Sequence, residues 1–209
     1  MSDRAFHLSP ALSLSNGSAV VFLKERAMLT HPIETQRLLI RPFDLKDWEE
    51  VHAYTSDPNV MVYIPEGPMT EEQTKEFVVK NLDEQATAFA VILKPGNKLI
   101  GHMLFHPWFA PRTYEIGWVF HQAYHGRGYA TEAALALLRY GFEELQLHRV
   151  IATCQPENIP SYRVMEKVGM RREGFFQKCI YRDDTAWWSE YFYAMLEEEW
   201  FRTNERKQA

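Results

Sequence analysis

The tightest constraint on this chain is a pair of glycines held between two patterned segments. TYEIGWVF (113–120) alternates as a strand does. HGRGYATEAALALLRYGF (125–142) then opens on Gly126 and Gly128 and continues as an apolar-periodic helix to about Leu145. The first turn of a helix presents N–H groups without intrahelical partners, at the positive end of the dipole. Glycine permits φ > 0 and close approach of a ligand to the backbone. A strand–glycine–helix junction of this kind is a site for an anion, most naturally phosphate, and Arg127 adds a formal charge beside it.

The segments around this junction set the fold class. RLLIRPF (37–43) reads as a strand, and DLKDWEEVHAYTSD (44–57) as a helix capped by Asp44. Residues 70–85 read as a second helix, with Thr70 and Gln73 spaced as a capping box. AFAVILK and KLIGHMLFHPWF flank Pro95-Gly96-Asn97 and predict a hairpin. RVIATCQ (149–155) is a strand, and PSYRVMEKVG (160–169) a short helix with Pro160 in its first turn and Gly169 just past its end. GFFQKCIYRDD and WWSEYFYAML predict two closing strands joined near Asp183-Asp184, followed by a solvated tail or short helix. The order β-α-α-β-β-β-α-β-α-β-β is mixed rather than strictly alternating, which implies an α+β domain with a mixed sheet.

Composition narrows the partners. Apolar residues make up 46% of 209, enough for one core, so a single domain is expected over 32–209. Residues 1–31 are rich in serine and small residues and read as an extension, with a possible turn at Asn16-Gly17 and Met28 as an alternative initiator. The net charge is −5 without a long basic run, which argues against nucleic acid and suits a cationic acceptor. No apolar run is long enough to span a membrane and no signal peptide stands out, so neither membrane nor export is expected and the cytoplasm is the default. Cys154 and Cys179 both lie in alternating apolar runs and read as buried free thiols. His102/His106 and His121/His125 are each four apart but fall in strands or turns, so no metal site is expected.

Three phosphate-binding designs compete for the glycine stretch, against a plain strand–helix turn. A P-loop needs Gly-Lys-Ser/Thr where this chain has Gly-Arg-Gly, and a dinucleotide fingerprint needs a third glycine where Thr131 stands. The third is the pyrophosphate loop of an acyl-CoA enzyme. HGRGYATEA resembles the acetyl-CoA loop of the GNAT acetyltransferase superfamily, Gln/Arg-x-x-Gly-x-Gly/Ala. Gly128 and Ala130 match the last two places, and His125 stands where Gln or Arg is usual. NIPSYRVMEKVGM (158–170) resembles the family's Asn-x-x-Ser…Glu-Lys-x-Gly-Phe signature, with Met170 for Phe. IETQRLLIRPFDLKD looks like the opening of the branch that contains ribosomal-protein N-terminal (Rim-type) acetyltransferases. The resemblance covers roughly residues 33–200.

This resemblance implies a GNAT-like, mostly antiparallel sheet with a splayed central strand pair and about four flanking helices. It implies an enzyme, an N-acetyltransferase that moves an acetyl group from acetyl-CoA, its cosubstrate, to a protein N-terminus or a small-molecule amine. TYEIGWVF should part from RVIATCQ, exposing amides around Val119, Phe120 and His121 to the thioester. The phosphates should rest on backbone N–H groups from Gly126 through Arg127, Gly128 and Tyr129 to Ala130, with His125, Thr131 and Arg163 close by. Asn158 should bond the pantetheine or acetyl region, and Ser161 should protonate the leaving thiolate. The bland alternatives are a turn residue for Asn158 and a helix cap for Ser161.

An ammonium must lose a proton to become a nucleophile, and Glu115 and His121 are the candidate bases, with His125 a further claimant. Trp48, Tyr54, Tyr63 and Trp108, with the Trp187-Trp188, Tyr191 and Tyr193 run, are candidates for the acceptor pocket or for plain packing. The aromatic closing hairpin also suits a homodimer. Two other classes compete: a module that senses acyl-CoA without turnover, and a nucleotide-binding regulator.

Overall fold

The computed structural model describes residues 29–208, apart from 84 and 184. The strands are β1 (Ile33–Glu34), β2 (Leu38–Arg41), β3 (Ala88–Leu93), β4 (Lys98–Pro107), β5 (Thr113–Phe120), β6 (Arg149–Cys154), β7 (Arg171–Asp183) and β8 (Ala186–Leu196). They form one eight-stranded sheet in the order β1-β2-β3-β4-β5-β6-β8-β7. Every neighbouring pair is antiparallel except β5 with β6. The helices are α1 (Trp48–Thr55), α2 (Glu71–Lys80), α3 (Tyr129–Arg139), α4 (Ile159–Val168) and α5 (Glu197–Gln208).

Strand alternation divides the molecule into two cores. Tyr114, Ile116 and Phe120 of β5 pack with Leu137 of α3 and Met165 of α4 on one face. Val119 faces the other way and packs with Val51 and Tyr54 of α1 and Val78 of α2. The helix ends follow the sequence signals. Thr70 and Gln73 complete their reciprocal cap on α2, and Gly169 ends α4 in the left-handed region at φ 95°. Asp44 caps a 3₁₀ turn, Leu45–Asp47, that leads into α1, and Arg41 grips Asp47 at 2.7 and 2.9 Å.

Several expectations need correction. The helix after the glycines does not stay α to Leu145: Tyr140–Glu144 forms a π turn, closed by the Leu145 amide on the Tyr140 carbonyl at 3.1 Å. Of the two alternatives for the tail the helix holds, as the twelve-residue α5, because Trp200 stacks on Phe142 at 5.7 Å and donates to Glu143, tying it to the core. The flanking α-helices among the described residues therefore number five. Cys154 is buried but Cys179 is exposed. Cys179 lies on the outermost strand, where the register slips between Phe176 and Ile180, so its alternating run has no second layer to bury it. Most of the 1–31 extension, with its Asn16-Gly17 turn and Met28, lies outside the described residues. Of its end, Leu29 is buried in the core and the Thr30 amide donates to the Tyr140 hydroxyl at 3.1 Å.

Candidate active site

The site is built where the sheet comes apart. β5 and β6 pair only at Thr113↔Arg149, Tyr114↔Val150 and Glu115↔Ile151. Beyond Glu115, β5 follows β4 as far as Phe120↔Gly101, while β6 follows β8 as far as Cys154↔Tyr191. A wedge therefore opens in the middle of the sheet, and its facing backbone groups lack a neighbouring strand. The His121 amide is not among them, because it donates to the Ile100 carbonyl at 2.9 Å. Alternation along the β4–β5 ladder turns the Phe120 amide the other way, toward the wedge. Gly101 lets β4 press against this segment: a Cβ there would meet the Val119 carbonyl oxygen at 2.5 Å and Phe120 Cα at 2.9 Å.

The glycine stretch stands at the mouth of this wedge. Gly126 and Gly128 have φ of 72° and 80°, a conformation that β-carbons disfavour, and Gly128 is the N-cap of α3. The Glu132 amide makes the first helical bond, to the Gly128 carbonyl at 3.0 Å, which leaves the amides of Tyr129, Ala130 and Thr131 outside the helix ladder. Arg37 braces the turn. It donates to the Arg127 carbonyl at 3.1 Å and to Glu132 at 2.6 Å, and lies over the Tyr129 ring at 4.5 Å. Burial raises the Glu132 carboxyl, but hydrogen bonds from Thr35 and Arg37 outweigh it and hold the group below the usual carboxylate range.

A cleft of about 420 Å³ joins wedge and turn. Of the residues expected at the cofactor, it is lined by Val119, Phe120, His125, Gly126, Gly128, Tyr129, Ala130, Thr131, Asn158, Ser161 and Arg163. His121 and Arg127 lie beside it rather than on its wall. His121 Nδ1 accepts from the Ala123 amide at 3.1 Å, and the Arg127 guanidinium turns toward Tyr124. His125 Nε2 donates to the Phe120 carbonyl at 2.7 Å, which makes it a brace and removes that nitrogen as a base. Asn158 caps α4 by accepting from the Ser161 amide at 3.3 Å, so Ser161 is not the cap. Its hydroxyl instead shares a hydrogen bond with the Cys154 thiol, which burial pushes up to about 11.

On the opposite face, Glu115 and Thr153 flank the point where the strands part, with Thr153 Oγ1 3.4 Å from the Glu115 carboxylate. Burial raises the Glu115 carboxyl, while the His106 ring across the ladder and the Thr153 hydroxyl draw it down. Trp108 packs against Phe192 at 5.4 Å nearby. Tyr63 lines the cleft of about 420 Å³, and its hydroxyl donates to the Glu157 carbonyl at 3.0 Å. Tyr54 cannot line a pocket, being wholly buried with its hydroxyl 2.8 Å from His102, and Trp48 is covered by Lys75. Tyr193 is also buried, whereas Trp187 is exposed.

Sequence reasoning missed three parts of the site. The Arg37–Glu132 brace joins residues 95 apart in the chain. Apart from Tyr63, the segment 59–64, which walls the cleft, was not singled out, because it carries no periodic signal. Glu190, half-buried and reached by the Thr153 hydroxyl, was hidden in an aromatic run whose alternation nevertheless puts it on the face of Glu115.

Residues 37–171 match a family profile described as an acetyltransferase (GNAT) domain. Over 168 residues, 80% of this chain and 98% of the relative, the sequence is 62% identical to the uncharacterized N-acetyltransferase YnaD of Bacillus subtilis. A solved GNAT-family acetyltransferase from Bacillus anthracis, also 62% identical, superposes with a TM-score of 0.78, covering 81% of this chain and all of that one. The putative ribosomal N-acetyltransferase YdaF of Bacillus subtilis is 34% identical over 93 residues, 43% of this chain and 48% of its own.

Proposed function

Because the chain belongs to the acetyltransferase (GNAT) family, whose acetyl donor is acetyl-CoA, we propose that it moves the acetyl group to a primary amine by direct attack on the thioester. The acceptor is a protein N-terminus or a small-molecule amine, and the setting is the cytoplasm. One observation carries this reading: β5 and β6 part directly beside two left-handed glycines and three unladdered helix amides. A helix N-terminus favours a diphosphate. An open wedge favours an extended chain with amide groups of its own, because such a chain satisfies the backbone groups that the missing strand would have met.

In this reading the diphosphate rests on the amides of Gly128–Thr131, and the pantetheine arm enters the wedge. Arg163, whose guanidinium also pairs with Glu166 at 3.0 Å, borders the diphosphate at the cleft wall. Asn158 keeps its side-chain N–H₂ for the arm, since only its oxygen is spent on the cap. The Phe120 amide is the donor for the oxyanion that forms when nitrogen attacks the carbonyl carbon. Ser161 passes a proton to the departing sulfur. Glu115, on the other face of the wedge, takes the proton that an arriving ammonium must lose. The exposed Phe175, Phe176, Tyr181 and Trp187 of the β7–β8 hairpin suit a homodimer, which light scattering would report.

Calorimetry with acetyl-CoA, paired with a thiol-release assay over peptides bearing N-terminal Ser or Ala, polyamines and aminoglycosides, tests the proposal. Binding with turnover of at least one amine is expected. Tight binding of CoA with turnover of none would favour an acyl-CoA sensor, and no binding would end the reading.

A further inference from the structure

We infer that Glu190 is a second catalytic carboxylate, which with Glu115 receives the acceptor as a protonated primary amine and takes its proton. The inference rests on the acetyltransferase reading of the site. Its basis is a shortage of donors. Glu115 on β5 and Glu190 on β8 lie on the same sheet face, on either side of Thr153 on β6, at the point where β5 and β6 separate. The Thr153 hydroxyl reaches both carboxylates. It carries one hydrogen and can donate to only one of them at a time. Both carboxylates are half-buried, so whichever lacks the hydroxyl is a partly desolvated acceptor in need of an N–H or O–H group. A primary ammonium brings three donors and a positive charge, and can bond both carboxylates at once. A neutral arylamine brings two weak donors and no charge.

The surroundings agree with a cationic guest. Burial raises the Glu190 carboxyl, the Thr153 hydroxyl lowers it, and the charge of Glu115 raises it again. His106 of β4, in register with Glu115, is the titratable group across the ladder, and the Cys154 and Cys179 thiols feel the Glu190 charge, Cys154 from the other sheet face. The proton balance closes. One proton of the ammonium passes to the carboxylate pair and on to solvent. The freed nitrogen forms the C–N bond, the C–S bond breaks, and the surplus proton on nitrogen reaches the sulfur through Ser161, which gives one proton as it takes another.

The test compares wild type with Glu190→Gln, an isosteric change, on a primary alkylamine and on an arylamine that is already neutral at pH 7. The profile of kcat/KM against pH is recorded for each, together with the calorimetric Kd for CoA. Glu190→Gln is expected to lower kcat/KM for the alkylamine about tenfold at pH 7. It should move the acidic limb down by about one pH unit, because the Glu190 carboxyl, which the charge of Glu115 raises, no longer titrates. The arylamine rate should fall clearly less than the alkylamine rate, and the CoA Kd should stay close to wild type. Carboxyl carbon NMR of the free protein reads the same coupling without turnover, and the Glu190 midpoint should fall in Glu115→Gln, which removes the charge that raises it. Equal losses on both amines, or an acidic limb that does not move in Glu190→Gln and a Glu190 midpoint that does not move in Glu115→Gln, would overturn the inference. Failure of the acetyltransferase reading is a separate result, absence of acetyl-CoA binding by wild type, and the NMR titration still decides the carboxylate pair.

Discussion

Replacing Ser161 with alanine removes a hydroxyl from the cleft wall and leaves the α4 cap intact, because Asn158 supplies that cap. A role in protonating sulfur therefore predicts a kcat lowered by about tenfold or more, with KM for acetyl-CoA little changed. Steady-state kinetics would decide it, and an unchanged kcat would take Ser161 out of the mechanism. The two thiols make a second contrast at this scale. Only the thiolate is alkylated, and the buried Cys154 thiol, at about 11, carries almost none at pH 8. Cys179 is exposed and should react first with iodoacetamide, while Cys154 stays unmodified until the fold opens, as peptide mass spectrometry would report. Single-residue positions were legible where a motif fixed them, as at Asn158 and Ser161, which both line the cleft. Cys179 was misread because alternation reveals a strand face but not whether a second layer covers it. The bracing role of His125 was not legible, because its partner, the Phe120 carbonyl, is invisible to spacing.

At the scale of the element, the turn that leads into α3 carries the strongest expectation. Gly128 sits at φ 80°, where a β-branched side chain is strained, so Gly128→Val should weaken CoA binding at least tenfold through loss of the turn geometry. Calorimetry with the folded variant checks this, and an unaltered Kd would contradict the cradle. The Arg37–Glu132 brace gives the same element a pH signature. The folded-state pKa of Glu132 is depressed, so its contribution is present above the ordinary carboxylate value and is lost as pH falls through the lower, folded value. Glu132→Gln should cost about 1 kcal/mol near neutrality, below the usual range for charged hydrogen bonds because Arg37 is partly exposed. The variant should also flatten the acid side of Tm against pH, measured by thermal melts across that range. The helix and its glycines were readable from local pattern. The brace was not, because two residues far apart in sequence meet only once β2 and α3 are packed together.

Across the whole molecule, the mixed order of elements was enough to read an α+β domain, and the resemblance supplied the split sheet. Alternation in TYEIGWVF and RVIATCQ identifies two strands but contains nothing about where their pairing stops. That point depends on β4 and β8 pulling them apart, a property of the assembled sheet. The far face of the wedge was the least legible part, since Thr153 and Glu190 converge on Glu115 from two other strands.

The central claim, that unladdered amides at the start of α3 hold a diphosphate and direct a thioester between the parted strands, is tested most directly by a crystal structure with CoA bound. The account predicts phosphate oxygens within hydrogen-bonding distance of the amides of Gly128–Thr131, and the pantetheine arm lying between β5 and β6. A diphosphate bound elsewhere on the protein, or an arm that bypasses the wedge, would contradict it.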